Sequence, residues 1–403
     1  MPKKVRSGCM LLWALVCLMF SLCPDAFASD SGLPILVRAG GSFGYAKSAD
    51  GIIWGWGDNA KGQLGNGTTY RVRTPAPVAY GVDGTHVVDI ACGNVATLFL
   101  MDDGSVMTCG ANNYGQQGLG SKVSIVKEPV AIPGLSEIQA IACGFGQCLA
   151  LDISGHVWSW GRNSNGQIGN GTKSAQSVPV RLDLEDIIQI ACGGKFCMVM
   201  DRQGQIYGWG DNEFGQLVDA SPYRNILSPT LLSISGRFCA IACGGDIGLG
   251  LDDEGNLWSW GRNDYLQLGN ADVRQKSNVP VRVQFPEKVS IESMVAYNAH
   301  SAARSADGGL WQWGSVYHGQ MGIGKQPSKS LPLMASPEKS VLDYAVGSLQ
   351  SYVLTSDGEV YGAGCNEYSQ TGAFKYRTDY YVTSWKDTGL NLLSGTWQDP
   401  HND

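Results

Sequence analysis

One phrase, W-G-x-N-x-x-G-Q-x-G, recurs along the whole 403-residue chain. Four clear and three degraded copies begin, in chain order, at Trp56, Cys109, Trp160, Trp209, Trp260, Trp313 and Ala363. The glycine that follows each of these positions recurs every 49 to 53 residues. A unit of this length cannot bury an apolar face alone, so each copy must stack on its neighbours. The repeat therefore restricts the chain to folds built from one small unit.

Each repeat contains four short segments with the composition of β-strands. In the third copy, Ile141–Gly144 predicts strand A, the run from Cys148 to Asp152 predicts strand B, and a V-W-x-W stretch predicts strand C. Strands B and C are separated by an Asp-to-Gly turn, which is typical of a hairpin. A proline-led segment predicts strand D at the outer edge, where proline is tolerated. In six repeats this proline is Pro75, Pro129, Pro179, Pro229, Pro280 or Pro332.

Four-stranded units at this period predict an all-β fold, a seven-bladed β-propeller of four-stranded antiparallel blades. The blades must close into a ring, because an open array would expose a sheet edge. The chain enters the first repeat at strand A, residues 35–40, and leaves the last through an outer-strand-like stretch, residues 380–393. The two ends are therefore expected to meet. We assign residues 33–395 to the propeller and residues 396–403 to a short C-terminal tail.

The order of the motifs ACG, DGxVWxWG and GxNxxGQLG over residues 33–395 resembles the regulator-of-chromosome-condensation family of propellers. Kelch propellers have a similar period and a Gly-Gly pair but lack the last motif. Members of the resembled family usually place His three residues after the glycine of ACG. In this chain His300 alone keeps that residue, and the other six positions are Phe43, Ala96, Gln147, Phe196, Ile247 and Gln350.

The first 28 residues have the layout of a secretory signal peptide. Lys3, Lys4 and Arg6 precede an apolar run, and Ala26-Phe27-Ala28 matches an A-x-A cleavage pattern. The apolar run, residues 10–22, is shorter than the roughly 20 residues that a membrane-spanning helix needs. We therefore expect a secreted or extracytoplasmic protein without a membrane span after cleavage. The alternative is an uncleaved anchor.

Nine cysteines follow the predicted signal peptide, so at least one is unpaired or pairs between chains. Cys143 with Cys148, and Cys192 with Cys197, recur as C-G-x-x-x-C. If the residues between them form a hairpin turn, each pair faces across two strands and could form a disulfide. The favoured alternative for the cysteines of the ACG motif is a small buried residue that packs as a hydrophobe.

Motifs for catalysis, metal binding and phosphate binding are weak or missing. The segment 40–44 matches the G-x-S-x-G nucleophile pattern, but that pattern needs a helix after the turn, and here a second strand is predicted. The five histidines lack metal-ligand spacing, and no phosphate-binding loop is present. We therefore predict no catalytic residue, no cofactor, no metal and no enzymatic activity.

Charge is distributed unevenly between the connections that join the strands. The predicted C–D connections hold four acids and twelve bases, namely Arg71, Arg73, Lys122, Lys127, Lys173, Arg224, Arg274, Lys276, Lys325, Lys329, Lys375 and Arg377. The B–C turns are acidic, and the whole chain has a formal net charge of −7, which argues against nucleic-acid binding. Because A–B and C–D connections share one end of an antiparallel blade, we predict a basic rim on one face and acid on the other.

These features predict a secreted, non-catalytic, monomeric binding propeller that recognises a protein or an anionic cell-envelope component through loops on one face. The alternative for the basic rim is solvated charge inherited by every repeat. The family resemblance implies two other roles. One is guanine nucleotide exchange on a small GTPase, if the chain is not exported, and the other is inhibition of an enzyme outside the cell.

Overall fold

The computed structural model describes residues 35–120, 123–218, 224–324, 327–373 and 380–400. They form seven antiparallel sheets, each hydrogen-bonded in chain order from its innermost strand to its outermost. The predicted all-β, seven-bladed propeller is confirmed. The helical content of this part of the chain is one 3-10 turn, Gly84–His86, and none of its helices is long or apolar enough to cross a membrane. The predicted signal peptide, residues 1–28, lies outside the described residues.

The first four blades occupy the N-terminal half of the ring. Blade 1 consists of β1 (Leu36–Ala39), β2 (Phe43–Lys47), β3 (Ile53–Gly57) and β4 (Val72–Pro77). Blade 2 consists of β5 (Val87–Cys92), β6 (Ala96–Met101), β7 (Val106–Ala111) and β8 (Ile125–Ala131). Blade 3 consists of β9 (Ile138–Cys143), β10 (Gln147–Asp152), β11 (Val157–Gly161) and β12 (Gln176–Arg181). Blade 4 consists of β13 (Ile187–Cys192), β14 (Phe196–Asp201), β15 (Ile206–Gly210) and β16 (Ile226–Leu231).

The remaining three blades complete the ring. Blade 5 consists of β17 (Phe238–Cys243), β18 (Ile247–Asp252), β19 (Leu257–Arg262) and β20 (Lys276–Arg282). Blade 6 consists of β21 (Ile291–Tyr297), β22 (His300–Ser305), β23 (Leu310–Gly314) and β24 (Lys329–Met334). Blade 7 consists of β25 (Val341–Val346), β26 (Gln350–Thr355), β27 (Glu359–Cys365), β28 (Tyr381–Asn391) and β29 (Thr396–Trp397). The expected tail, residues 396–403, is thus corrected at its start, because β29 pairs with β28 as a fifth strand.

The motif glycine at the end of strand C turns the chain sharply toward the next loop. Gly161 has a φ of 103°, and a Cβ there would collide with the carbonyl oxygen of Gly146 in the A–B turn of the same blade. A side chain is therefore excluded by both backbone conformation and space, which explains why this glycine recurs in every repeat.

The outermost strands contain the predicted prolines, and the C–D loop of the preceding blade partly covers them. Pro129 lies within β8, and Gly67 of blade 1 donates its N–H to Lys127 O at 3.0 Å. In the same way, Gly171 of blade 3 donates to Leu227 O of β16 at 2.9 Å. These bonds satisfy backbone groups at an edge that would otherwise invite pairing with another chain.

The joints between blades are built around the tryptophan that opens the repeated phrase. Trp209 and Trp260 are both fully buried, and each donates its indole N–H to the carbonyl of a motif Gln in the preceding blade. The nitrogen-to-oxygen distance is 2.9 Å from Trp209 to Gln167 and 2.9 Å from Trp260 to Gln216. The apolar core is accordingly divided among seven clusters, one at each joint.

Two blades lack this tryptophan, and a residue from elsewhere replaces it. Cys109 stands in its place in blade 2, and Tyr45 of blade 1 donates its hydroxyl to Gln63 O at 2.9 Å instead. Ala363 stands in its place in blade 7, where Trp385 of β28 packs over Gly322 of blade 6. The joint geometry is therefore preserved although the repeat is degraded.

The ring closes between blades 7 and 1, and each of these blades is formed by a continuous stretch of chain. Trp56 donates to Gln370 O at 3.1 Å, and Ala49 N donates to Leu392 O at 2.8 Å. On the innermost strands, Arg38 bridges Asp343 of blade 7 at 3.0 Å and Asp89 of blade 2 at 2.8 Å. The predicted meeting of the first and last repeats is confirmed.

Candidate protein-interaction face

The connections between strands sort onto two faces of the disc, as predicted. The A–B turns and C–D loops share one face, because Arg162 N at the start of a C–D loop bonds Gly146 O in an A–B turn at 2.8 Å. The B–C turns and D–A connections share the other, because Ile153 N bonds Glu137 O at 3.0 Å. These are called the C–D face and the B–C face below.

The acidic residues of the B–C face serve the turns that carry them. The carboxylate of Asp252 accepts bonds from Asn256 N at 2.7 Å and Trp258 Nε1 at 2.8 Å. Burial by itself would raise the pKa of Asp252, but these hydrogen bonds outweigh it and hold the pKa below its usual value. Asp152 makes the equivalent bonds with His156 and Trp158. Turn formation therefore accounts for acid at these positions.

The predicted basic rim divides between two surfaces. Arg71, Lys173, Arg224 and Arg274 lie in the loops between strands C and D, whereas Arg73, Lys127, Lys276 and Lys329 lie within the outer strands β4, β8, β20 and β24. Lys122, Lys325, Lys375 and Arg377 lie outside the described residues. The predicted C–D connections overlap strand D, so half of the described bases lie on the circumference rather than on the face.

Two of these bases line a common open groove between blades 3 and 4. Lys173 and Arg224 line it together with Leu227 and Ser228. Its volume is about 740 Å³. This groove is where the described part of the rim brings positive charge together.

Aromatic and arginine side chains of neighbouring blades stack in pairs on the C–D face. The guanidinium carbon lies 5.2 Å from the ring centre in the pair Arg71 and Tyr368, and 5.1 Å in the pair Arg162 and Tyr114. The pair Arg262 and Phe214 is closer, at 4.5 Å. Between blades 5 and 6, Tyr265 and Tyr317 meet edge to face at 6.1 Å. We call these eight residues the aromatic–arginine collar.

The collar was only partly visible in the sequence. Tyr114, Phe214, Tyr265 and Tyr368 share one position of the repeat, which favours a packed loop anchor over a ligand cage. The structure shows that these rings pack on the next blade and also keep accessible surface, since Tyr114 is 47% exposed. Arg162 and Arg262 were missed, although the WGRN copies of the motif contain them. They directly follow the motif glycine, so they precede the variable part of the C–D connection in which the basic rim was predicted.

Local acids balance the charge of Arg262 in the collar. Arg262 bonds Asp264 at 2.7 Å and Asp246 at 3.3 Å. Burial raises the pKa of Asp246 despite the opposing effect of this arginine. The stacking and these bonds therefore hold the Arg262 guanidinium in a fixed position on the face.

A cavity of about 330 Å³ opens beside the collar between blades 5 and 6. Tyr265 and Tyr317 line one part, and Asn298, His318 and Ser348 line another. Burial lowers the pKa of His318. The cavity adds concave surface to the C–D face.

The A–B turns close the same face near the axis. Phe145 of blade 3 and Tyr297 of blade 6 meet there with ring centres 5.6 Å apart. Burial raises the pKa of Tyr297, whose hydroxyl lacks a hydrogen-bond partner among the described residues. Blades 3 and 6 are not neighbours, so this contact spans the axis of the ring.

The position at which the resembled family usually has His is a buried joint between blades. Gln147 Nε2 donates to Gly193 O of the next blade at 2.9 Å, and Gln350 Nε2 donates to Gly40 O at 3.1 Å. His300 Nε2 lies 3.1 Å from Ser351 Oγ, and burial lowers the pKa of His300 to about 4. A glutamine makes the same kind of bond across the joint, which explains its presence here.

The residues considered for catalysis lie in ordinary structural positions. The segment 40–44 forms an A–B turn that leads into strand β2, so the helix required by the nucleophile motif does not follow it. Within the described residues there is no group of three or more His, Cys, Asp or Glu side chains placed to hold a metal ion.

The two predicted cysteine pairs do face each other across strands A and B. The sulfur atoms are 3.0 Å apart in Cys143 and Cys148 and 3.8 Å apart in Cys192 and Cys197. All four are free thiols. Cys148 also donates its S–H to Gln116 O at 3.6 Å, the carbonyl that the indole N–H of Trp160 contacts.

Comparison with known sequences identifies the repeat. The family profile of the RCC1-like domain matches residues 136–386. Two profiles of the regulator of chromosome condensation (RCC1) repeat match residues 50–100 and 103–151, and residues 87–116, respectively.

Curated relatives align over most of this chain. The ultraviolet-B receptor UVR8 of Arabidopsis thaliana is 27% identical over 84% of this chain and 66% of its own length. The human protein RCC2 is 29% identical over 67% of this chain and 47% of its own length. The human E3 ubiquitin-protein ligase HERC2 is 29% identical over 80% of this chain but only 7% of its own length. The chain thus spans less than two thirds of each of these relatives.

Solved structures share the fold. Human WBSCR16 superposes with a TM-score of 0.70 at 27% identity, covering 78% of this chain and 85% of that one. Prp20p of Saccharomyces cerevisiae, studied for its binding to Gsp1p and histones, superposes with a TM-score of 0.76 at 23% identity, covering 84% and 85%. The seven blades and the matched profiles show that this chain belongs to the regulator of chromosome condensation (RCC1) repeat family of binding and regulatory propellers.

Proposed function

We propose that this chain is a non-catalytic, protein-binding propeller whose partner docks on the C–D face against the aromatic–arginine collar. The collar is the observation that carries the proposal, because Tyr and Arg are enriched among the residues that dominate binding energy at protein interfaces. Tyr317 is 67% exposed and Tyr114 is 47% exposed, so both present large rings to solvent.

The collar is also held in place before a partner arrives. Arg262 is stacked on Phe214 and bonded to Asp264, so its guanidinium has little freedom to lose on binding. Ordering a flexible side chain costs about 0.5–1.5 kcal/mol in an interface. A preorganised collar on a rigid ring therefore favours tight association with a folded protein surface.

The open groove between blades 3 and 4 supports a partner that carries an acidic segment. Lys173 and Arg224 flank this groove, and both are exposed. The proposed contact with anionic groups is thus limited to this groove and the neighbouring loops, rather than extended around the whole rim. Opposite charge would accelerate association more than it would strengthen the final complex.

We further propose that the chain acts as a monomer outside the cytoplasm, exported by residues 1–28. Intact mass of the purified protein should then show an N-terminus at Ser29 and a single protomer by light scattering. A full-length chain retained in the membrane fraction would favour the anchor instead. A full-length chain in the cytoplasm would favour the alternative role in nucleotide exchange. That role is measured as the release of a fluorescent guanine nucleotide from a small GTPase.

Paired collar variants test the docking proposal. Full-length protein is used to capture binding partners from an extract, and the captured protein is then purified and titrated. Replacing both Tyr317 and Arg262 with Ala should weaken its affinity at least about 30-fold, because the loss of even one hot-spot residue costs about 2 kcal/mol or more. Ile153→Ala is the matched control, since Ile153 is 58% exposed in a B–C turn. Equal binding by both variants would exclude the collar as the docking surface.

A further inference from the structure

Two pairs of thiols face each other within single blades, close to the axis of the ring. Cys143 on β9 opposes Cys148 on β10, and Cys192 on β13 opposes Cys197 on β14. The sulfur atoms are 3.0 Å apart in the first pair and 3.8 Å apart in the second. In both pairs the cysteine on the innermost strand is half-buried, while its partner is buried.

The register of the strands places both pairs where a cross-strand disulfide fits. Gly144 N donates to Gln147 O at 2.9 Å and closes the hairpin, so the next pair along the strands, Cys143 and Cys148, is not hydrogen-bonded through its backbone. The Cα atoms of such a pair lie about 4.5 Å apart, within the range of about 4.4–6.8 Å that disulfides span.

The second pair has the same relation to its hairpin, since Gly193 N donates to Phe196 O at 2.9 Å. The remaining cysteines of the ACG motif have partners that cannot form such a link. Cys92 lies opposite Thr97, and Cys243 lies opposite Gly248.

We propose that Cys143–Cys148 and Cys192–Cys197 are two sites of covalent modification, each of which closes a disulfide within its own blade when the folded chain meets a small-molecule disulfide. The geometry selects these four of the nine thiols in the described chain. The modification requires no movement between blades, because each pair lies on one hairpin.

The reaction is a balanced two-step exchange. The thiolate of Cys143 attacks one sulfur of the small disulfide, which forms a mixed disulfide and releases one small thiolate; that thiolate takes up the proton lost by Cys143. Cys148 then loses its proton, and its thiolate attacks the Cys143 sulfur. The second small thiol leaves with that proton. Two electrons pass from the protein to the small disulfide.

Burial makes the thiolates scarce at neutral pH. It raises the pKa of Cys148 and of Cys192, so both need a higher pH to ionise than a free cysteine does. Both pairs should therefore close faster as the pH rises.

Peptide mapping tests the proposal directly. The folded protein is incubated with oxidised glutathione, free thiols are blocked with N-ethylmaleimide, and the chain is digested with trypsin. No Lys or Arg lies between Cys143 and Cys148, so their disulfide gives one peptide lighter by two hydrogen atoms. Lys195 lies between Cys192 and Cys197, so theirs gives two linked peptides. Complete blocking of all four thiols, or glutathione that remains on Cys143 while Cys148 is blocked, would overturn the proposal.

Two variants separate geometry from folding. Cys148→Ser removes the resolving thiol, so glutathione should remain bound to Cys143. Thr97→Cys provides Cys92 with an equivalent partner on the opposite strand, and a third disulfide should form in blade 2. Raising the pH from 7 to 8 should increase the closing rate about tenfold, in proportion to the thiolate population. Failure of the Thr97→Cys variant to cross-link while folded would show that the register argument is wrong.

Discussion

The joint between blades 4 and 5 depends on Trp260, which makes Trp260→Phe a measure of how strongly adjacent blades are coupled. Trp260 is fully buried, and its indole N–H donates to Gln216 O at 2.9 Å. Phenylalanine keeps an aromatic ring at the joint but removes this donor. The variant therefore separates the hydrogen bond from the general need for a large apolar side chain.

The expected loss can be worked out from two contributions. A buried carbonyl left without its donor costs about 1–3 kcal/mol. The smaller ring leaves a space of about 40 Å³, which costs about 1 kcal/mol at roughly 24 cal/mol per Å³. Together they lower the free energy of unfolding by about 2–4 kcal/mol.

Trp258→Phe is the matched control, because Trp258 lies two residues away on β19 and packs on the same cluster, but its indole N–H donates within its own blade. It is half-buried and donates to Asp252 Oδ2, which also accepts a bond from Asn256 Nδ2 at 3.0 Å. The control should lose about 0.5–1.5 kcal/mol. Urea unfolding followed by far-ultraviolet circular dichroism gives both values without relying on tryptophan emission. Equal losses in the two variants would refute the view that the indole bond couples the blades.

His300→Gln should remove an acid-sensitive group from the joint between blades 6 and 7. The pKa of His300 in the folded state is about 4, below its usual value, so protonation of the unfolded chain lowers the free energy of unfolding by up to about 3 kcal/mol as the pH falls from 6.5 to 4. Urea unfolding at pH 7 and at pH 4.5 should therefore show a smaller loss of stability in the variant than in the natural chain. Tyr45→Phe should cost only about 1 kcal/mol in the same assay, because Thr97 Oγ1 still donates to Gln63 O at 2.8 Å. Asp252→Ala should cost about 2 kcal/mol by removing the acceptor of its B–C turn, whereas Asp253→Ala at the exposed neighbouring position should change the unfolding midpoint little; a large loss in the Asp253 variant would contradict the turn role assigned to Asp252.

The blade architecture was predictable because each repeat contains local signals for its own strands and turns. Gly161 illustrates this, since its position in the motif and its left-handed backbone conformation belong to one short segment. The edge position of Pro129 follows equally from local chemistry, because a residue without N–H must avoid the inner strands.

The joints between blades were not predictable in the same way. The partner of Trp260 is a backbone carbonyl 44 residues earlier in the chain. Every residue has a backbone carbonyl, so the sequence does not indicate which one accepts the bond. The replacements at degraded joints are harder still to predict. Tyr45 of blade 1 supplies the hydrogen bond that the missing tryptophan at Cys109 of blade 2 would otherwise make. The collar could not be predicted for the same reason, since the stacking of Arg162 on Tyr114 joins residues of different repeats.

Site-specific photocrosslinking tests the docking proposal most directly. A benzophenone amino acid is placed at Tyr317 on the C–D face or at Ile153 on the B–C face of the full-length chain, and each protein is irradiated with its captured partner. We expect a cross-link from position 317 that disappears when Arg262→Ala is added, and none from position 153. A cross-link from position 153 alone, or equal yields from both, would place the partner elsewhere on the ring.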